Sequence, residues 1–332
     1  MGKINKIITV SAGDPAGIGA EITAKSVHAL ASNTDSKFII IGREQDFENT
    51  FCDDLRWFSS ENQAFEYLDT NKQVGLNLSD FADEKVQIGA PSASSGMIAY
   101  KSIEQAVVLC QKNKARAIVT APISKDALKL AGFSFTGHTT IFKNMLNAEP
   151  VMTFYTPTRE NHAVLVSLVS MHIPLMNVKD SLKPEKLEYV IRTTNSALKN
   201  YFGIEKPRIA VSGLNPHAGE GGMFGTEESE IINPVVENMC VQGLDVVGAI
   251  PPDTVFYRAL HRHEFDGVVS LYHDQGLIAV KTFDFLNSVQ MTLGLPFLRT
   301  SVDHGTAYDI AGKGIAEINS MVNALKLADK LI

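Results

Sequence analysis

The chain has 332 residues, 45% hydrophobic and 20% charged, with a mean hydropathy of +0.01. These values describe an ordinary globular protein with about two domains as the expectation. A formal net charge of −7 without basic runs excludes a general nucleic-acid or membrane-surface binder.

Short β-branched runs alternate with amphipathic segments, the pattern of an α/β protein with a largely parallel sheet. Strands are expected at 7–11, 38–42 and 117–120, and further on at 163–170, 208–213 and 266–271. Ala99, Ile103, Ala106, Val107 and Cys110 recur at helical spacing, with Ser94 or Ser95 as the N-cap. Leu187, Val190, Ile191, Thr194 and Leu198 trace a second helix after Pro184, and Ile318, Met321, Val322 and Leu325 a third. Pro234 should kink or restart the helix that begins near Glu227. Residues 45–90 have the weakest periodicity and read as a peripheral excursion.

No apolar stretch approaches the roughly 18 residues of a membrane span, and the first residues lack a signal-peptide core. Gly2 is incidental, because Lys6 stands where a myristoylation signal requires Ser or Thr. Cys52, Cys110 and Cys240 form no CxxC pair and are expected to be reduced packing residues of a cytoplasmic protein.

Several segments carry chemistry. Gly13 to Glu21 reads GDPAGIGAE after the first strand, but its glycines do not fall as GxGxxG, and the second strand ends in Gly42-Arg43 without an acid. It is either a glycine-shaped strand-to-helix turn or a helix N-terminus facing an anion. TAPISK (120–125) ends a strand with Lys125 at the rim, and TGHTT (136–140) clusters small donors around His138, suited to phosphate or carboxylate recognition, whereas a lone lysine or histidine reads as a solvated surface residue. Three other runs lead to His172, His217 and His273. Ligands of open parallel α/β sheets bind beyond the carboxyl ends of the strands. Three imidazoles delivered there could share a divalent metal and leave one coordination position open. Asp274 adjoins His273 and could orient it, and Asp253 sits in the rigid PPDTVF turn. His28, His162, His261 and His263 lack such context and are expected at the surface. The small residues of DHGTAYDIAGKG (303–314) let a flat ligand approach the backbone, and its Asp could bond ribose hydroxyls.

Together GDPAGIG, TAPISK, TGHT, NPHAGEGG, PPDTVF, YHDQG, TLGLPFLRTSVDHGTA and IAGKG resemble the 4-hydroxythreonine-4-phosphate dehydrogenases, over nearly the whole chain. The 303–314 loop is also similar to the nucleotide-binding loop of isocitrate and isopropylmalate dehydrogenases. The resemblance implies two α/β/α lobes with largely parallel sheets around a central cleft, an isopropylmalate dehydrogenase-like fold and not a Rossmann one. Lobe one would be 1–135 plus 295–332 with the nucleotide loop, and lobe two 136–294 with the metal ligands and a dimer interface. It implies a homodimer with its active site at the interface, and NAD or NADP held at His304, Gly305 and Asp309. One divalent metal (Zn, Mg or Co) would sit on His172, His217 and His273, with one ligand from the partner protomer. His138, Thr139, Lys281, Gln290 and Arg299 would contact substrate, and Asp253 or Lys281 would act as general base. Position 290 is Gln where the family commonly has Asn, and position 140 is Thr where it commonly has Glu.

The implied reaction oxidises 4-phosphohydroxythreonine to a β-keto acid that loses carbon dioxide, giving 3-amino-2-oxopropyl phosphate in pyridoxal phosphate (vitamin B6) biosynthesis. Three rivals stand beside it. They are a paralogue oxidising a phosphoerythronate or phosphothreonate, a His₃ metallohydrolase without a redox role, and a ligand-sensing protein with an inert cleft.

Overall fold

The computed structural model describes residues 6–48, 50, 55–158 and 162–332, so Gly2 and Cys52 lie outside the described residues. The chain divides into two compact units, Met1–Pro150 with Leu295–Ile332, and Val151–Gly294. The first contains β1 (Ile7–Ser11), β2 (Lys37–Gly42), β3 (Trp57–Phe58), β4 (Gln73–Asn77) and β5 (Ala117–Thr120). The second contains β6 (Val151–Pro157), β7 (Ala163–Leu168), β8 (Arg208–Ser212), β9 (Asp245–Ile250), β10 (Gly267–Ser270) and β11 (Val289–Leu293). The chain then returns to the first unit with β12 (Leu298–Ser301).

In the first unit the strand order is β3-β4-β2-β1-β5-β12, and every described pairing is parallel. Its central strands are buried along their length, which is why they read as near-continuous apolar runs. The helix Ala93–Gln111 covers them with Ile103, Ala106, Val107 and Cys110, all in the unit's core. Burying each large aliphatic side chain there contributes roughly 1.5–3 kcal/mol. Its N-cap is Ser92, a few residues earlier than expected from the apolar spacing. Ser92 accepts from the Ser95 amide, and Ser95 returns a bond to the Ser92 amide, a reciprocal capping box.

Two expectations are corrected here. Within 45–90, residues 57–77 are not a peripheral excursion: β4 pairs with β2, and Val74, Leu76, Ala64 and Leu68 join the core. The periodicity fails because Gly75 leaves its side-chain position to Trp57, whose ring lies 2.2 Å from where a Cβ would stand. Segment 136–150 packs in the first unit and not the second, because the helix His138–Leu146 buries Ile141 and Phe142 in that core.

In the second unit the order is β11-β6-β7-β10-β8-β9, with β6 antiparallel to both neighbours and β7, β10, β8 and β9 mutually parallel. The helix Pro184–Phe202 buries all five of its expected face residues and ends at Gly203, whose φ of 68° is the left-handed stop. Around Pro234 the helix restarts: a π-helical turn, Glu228–Ile232, leads into Asn233–Val241 with the proline in its first turn. Cys110 is a packing residue whose thiol burial pushes up to about 12. Cys240 is exposed, which corrects its expected packing role. Among the described residues no helix is long and apolar enough to cross a membrane.

Candidate active site

The second unit brings the exits of β7, β10 and β8 side by side, because these three strands are adjacent and parallel. His172, His273 and His217 follow those exits in that order. The His172 and His273 rings lie 5.4 Å apart, centroid to centroid, and border a small cavity of about 170 Å³ with Tyr272 and Leu175. Two imidazoles on one tetrahedral ion at ordinary Zn–N distances have centroids about 5 Å apart, so this pair fits a shared metal. His273 Nδ1 lies 2.7 Å from Asp274 Oδ1, which leaves Nε2 for a ligand. His217 does not join them. It is exposed, its ring is paired with Phe224 at 6.2 Å, and no group of three metal-binding side chains forms among the described residues of one chain.

The strand exits are held by bonds that the apolar pattern does not announce. Ser170 donates to the Leu271 carbonyl at 2.7 Å, fixing the β7 exit against that of β10. Gln275 accepts from the Leu271 amide at 2.7 Å and donates to the Gly213 carbonyl at 2.8 Å, tying the β10 exit to that of β8. The His217 loop is strained: His217, Ala218 and Glu220 have φ of 51°, 53° and 42°, a region costing about 1–2 kcal/mol per ordinary residue. The buried Glu228 carboxylate steadies this loop, accepting from the Leu214 and Asn215 amides, each at 2.8 Å, and from the Asn215 side chain at 2.9 Å. A Cβ at Gly219 would stand 2.8 Å from Glu228, so the motif requires glycine there. Glu227 accepts from Asn215 and pairs with Lys179, which with its other bonds lowers its carboxyl to about 2.

Asp253 is exposed in the first turn of Pro252–Leu260 and lines an open groove of about 1120 Å³ that also touches Asp274 and Gln275. Lys281 lies in the last turn of His273–Phe283, its ammonium 5.3 Å from the Phe285 ring. Two turns of helix separate it from His273, about 12 Å along the axis. Gln290 is half-buried on β11, opposite Phe154. His28 and His261 are exposed as expected, while His162 is half-buried against Asp266 at 3.3 Å.

In the first unit the polar cluster is buried. Arg299 on β12 is 1% exposed; it donates to Thr120 Oγ1 at 2.6 Å, and its guanidinium lies over the Phe142 ring at 5.7 Å. Burial lowers its pKa to about 9. His138 is the first residue of its helix, and its buried Nε2 has no hydrogen-bond partner among the described residues. Burial and then the Arg299 charge hold this imidazole well below its usual pKa, so it is neutral near pH 7 and not the solvated residue expected of a lone histidine. Thr139 follows at the same helix start, and Thr140 is committed locally, accepting from the Thr136 amide at 2.9 Å and donating to the Gly137 carbonyl at 2.9 Å.

The 303–314 loop exposes His304, Gly305 and Asp309, and the space a Cβ would occupy at Gly305 is open. GDPAGIG packs against this loop. The amides of Ala16, Gly17 and Ile18 go to Asp14 Oδ1, the Asp14 carbonyl and the Thr306 carbonyl, so the glycine-shaped turn explains the motif and an anion does not. Gln275, Glu228, Thr120, Asp14 and Tyr308 carry the site's bonds without having been singled out as functional. The detectable signal was their position inside the motif blocks or beside the histidine segments.

A sequence model of the pyridoxal phosphate biosynthetic protein PdxA family matches residues 30–328. The chain belongs to this family. Membership makes it an oxidoreductase. It is 40% identical to the 4-hydroxythreonine-4-phosphate dehydrogenase of Desulforapulum autotrophicum, over 97% of this chain and 94% of that one. It is 39% identical to the D-threonate 4-phosphate dehydrogenase of Pectobacterium atrosepticum, over 99% and 100%. The crystal structure of 4-hydroxythreonine-4-phosphate dehydrogenase from Klebsiella pneumoniae superposes with a TM-score of 0.84 at 38% identity, covering 98% of each chain. A β-decarboxylating dehydrogenase from Thermococcus kodakarensis shares the fold alone, at 15% identity, a TM-score of 0.55 and coverage of 98% and 83%.

Proposed function

We propose that the chain oxidises a phosphorylated four-carbon 3-hydroxy acid with NAD or NADP, 4-phosphohydroxythreonine being the substrate to test first. The oxidised product is a β-keto acid, and loss of its carboxylate gives 3-amino-2-oxopropyl phosphate. The observation that carries this reading is the alignment of His172, His273 and His217 on three adjacent parallel strand exits in a member of this family.

His172 and His273 of one protomer would hold a divalent ion together with His217 of a second copy, an arrangement that requires a homodimer. Such an ion makes an alcohol easier to deprotonate. Asp253, in the groove that reaches Asp274, is the group best situated to accept the alcohol proton, with Lys281 left to bind an anionic end of the substrate. Arg299, His138 and Thr139 are assigned to another polar end, where a buried guanidinium and an imidazole Nε2 still open to a partner favour an oxyanion. His304, Gly305 and Asp309 are assigned to the nicotinamide nucleotide.

A second reading, D-threonate 4-phosphate as substrate, is favoured by one feature. Thr140 is neutral and already bonded where the family commonly has Glu, so a carboxylate that could pair with a substrate ammonium is missing. The metallohydrolase reading leaves the 303–314 loop unexplained, and the intact His172, His217, His273, Lys281 and Arg299 weigh against an inert cleft. Following reduced-nicotinamide absorbance with each phosphate, with and without a chelator, tests the proposal. Turnover of at least one, abolished by chelator and restored by Zn²⁺, Mg²⁺ or Co²⁺, is expected. Turnover indifferent to chelator would remove the metal from the scheme, and no reduction with either phosphate would remove this substrate class.

A further inference from the structure

Asp14 and Tyr308 come from opposite ends of the chain and meet inside the first unit. The Tyr308 hydroxyl donates to Asp14 Oδ2 at 2.6 Å, while Asp14 Oδ1 accepts from the Ala16 amide at 2.9 Å. The contacts around this bond are tight. The Ile18 amide donates to the Thr306 carbonyl at 3.0 Å, and a Cβ on Gly17 would stand 2.6 Å from that same oxygen. Further along, Glu21 accepts from the Ala316 amide at 3.0 Å, and Lys25 donates to the Gly314 carbonyl at 2.9 Å. Residues 14 to 25 therefore clamp the backbone of 306–316 at several points, while His304 and Asp309 on that loop remain exposed. GDPAGIG, otherwise without a function, is explained as the fixed side of this clamp.

We propose that the Asp14–Tyr308 hydrogen bond is a latch that holds the 303–314 loop in the form that binds the nicotinamide nucleotide. This rests on the assignment of that loop to the cofactor. Asp14 and Tyr308 are positioning residues: the carboxylate is fully buried, and it acts through the phenol that fixes the loop. Burial, and then the bond to Asp14, raise the phenol's pKa, so Tyr308 stays a donor throughout the physiological range. Losing a hydrogen bond to a charged acceptor loosens the loop by an amount corresponding to about tenfold in binding.

The test is the Kd for NADH and NADPH, read by their fluorescence, in Tyr308→Phe, Asp14→Asn and the double variant. Each single variant is expected to raise Kd for the bound nucleotide about tenfold, and the double variant no further, because both remove one bond. At saturating nucleotide, kcat and the KM for the phosphorylated substrate should stay within about twofold, a split that a general loss of structure does not produce. Gly17→Ala reaches the same loop by a different contact and should raise Kd as well. A Kd within twofold of wild type in Tyr308→Phe, or a fall in kcat with Kd unchanged, overturns the latch. Asp309→Ala separates the two levels. If it weakens nucleotide binding while Tyr308→Phe does not, the latch fails and the loop assignment stands. If neither changes Kd, the loop assignment fails and takes the latch with it.

Discussion

The histidine rim of the second unit and the arginine cluster of the first are built on opposite physical terms. At the rim, His172 and His217 are exposed and His273 half-buried, and their positions are set by bonds among strand exits, from Ser170, Gln275 and Glu228. In the first unit, Arg299 and Thr120 are buried and already bonded to each other. Neutral imidazoles cost little to leave in water, so a donor set made from them can remain incomplete in one chain. A guanidinium taken out of water is costly unless partnered. Some of its partners must therefore be in place on folding, with an arriving anion as the remaining compensation. The rim is thus expected to be sensitive to assembly and metal, and the cluster to charge.

The largest expected effect tests the rim. His273→Ala should abolish stoichiometric metal, measured by elemental analysis, and lower turnover by more than the roughly 10–100-fold that loss of an outer partner costs. Normal metal content would detach His273 from the site. Next comes the cluster: Arg299→Met should raise the KM for the phosphorylated substrate about 30-fold or more, yet leave the melting temperature unchanged or higher, because an apolar side chain fills a site that penalises charge. A lower melting temperature with normal KM would make Arg299 structural. Gln275→Leu, which unties the β8 exit from that of β10, should weaken metal affinity about tenfold by competition with a chelator.

The smallest effect is a pH dependence at His138. Its folded pKa lies below the unfolded value of about 6.5. As pH falls below 6.5 the unfolded chain takes up a proton that the folded one refuses, so stability is lost on acidification. Relative to His138→Gln, wild type should lose up to about 1.4 kcal/mol per pH unit below 6.5, less if water reaches the ring. Parallel denaturation curves for the two proteins from pH 7 to 5 would contradict this.

Most of the parallel sheet was legible because doubly buried strands such as β1, β2 and β5 are near-continuous apolar runs. The 57–77 region was not, since its register depends on a tryptophan occupying a glycine's empty side-chain position, a contact no local period records. The three histidines were visible as residues following strands. The order of those strands in the sheet was not, because β8 precedes β10 in the chain but lies beyond it in the sheet. The burial of the His138 Nε2 escaped for a similar reason: Arg299, whose charge acts on this imidazole, is brought there by packing at long sequence separation.

The most direct test of the shared metal site is subunit complementation. His273→Ala and His217→Ala, each inactive alone, should recover roughly a quarter of wild-type turnover when unfolded together and reassembled in equal amounts, because half the dimers then carry one intact site. His172→Ala mixed with His273→Ala should remain inactive, since those two ligands come from the same protomer. Recovery in the second mixture and none in the first would contradict the pairing of His172 with His273 on one chain and His217 on the other.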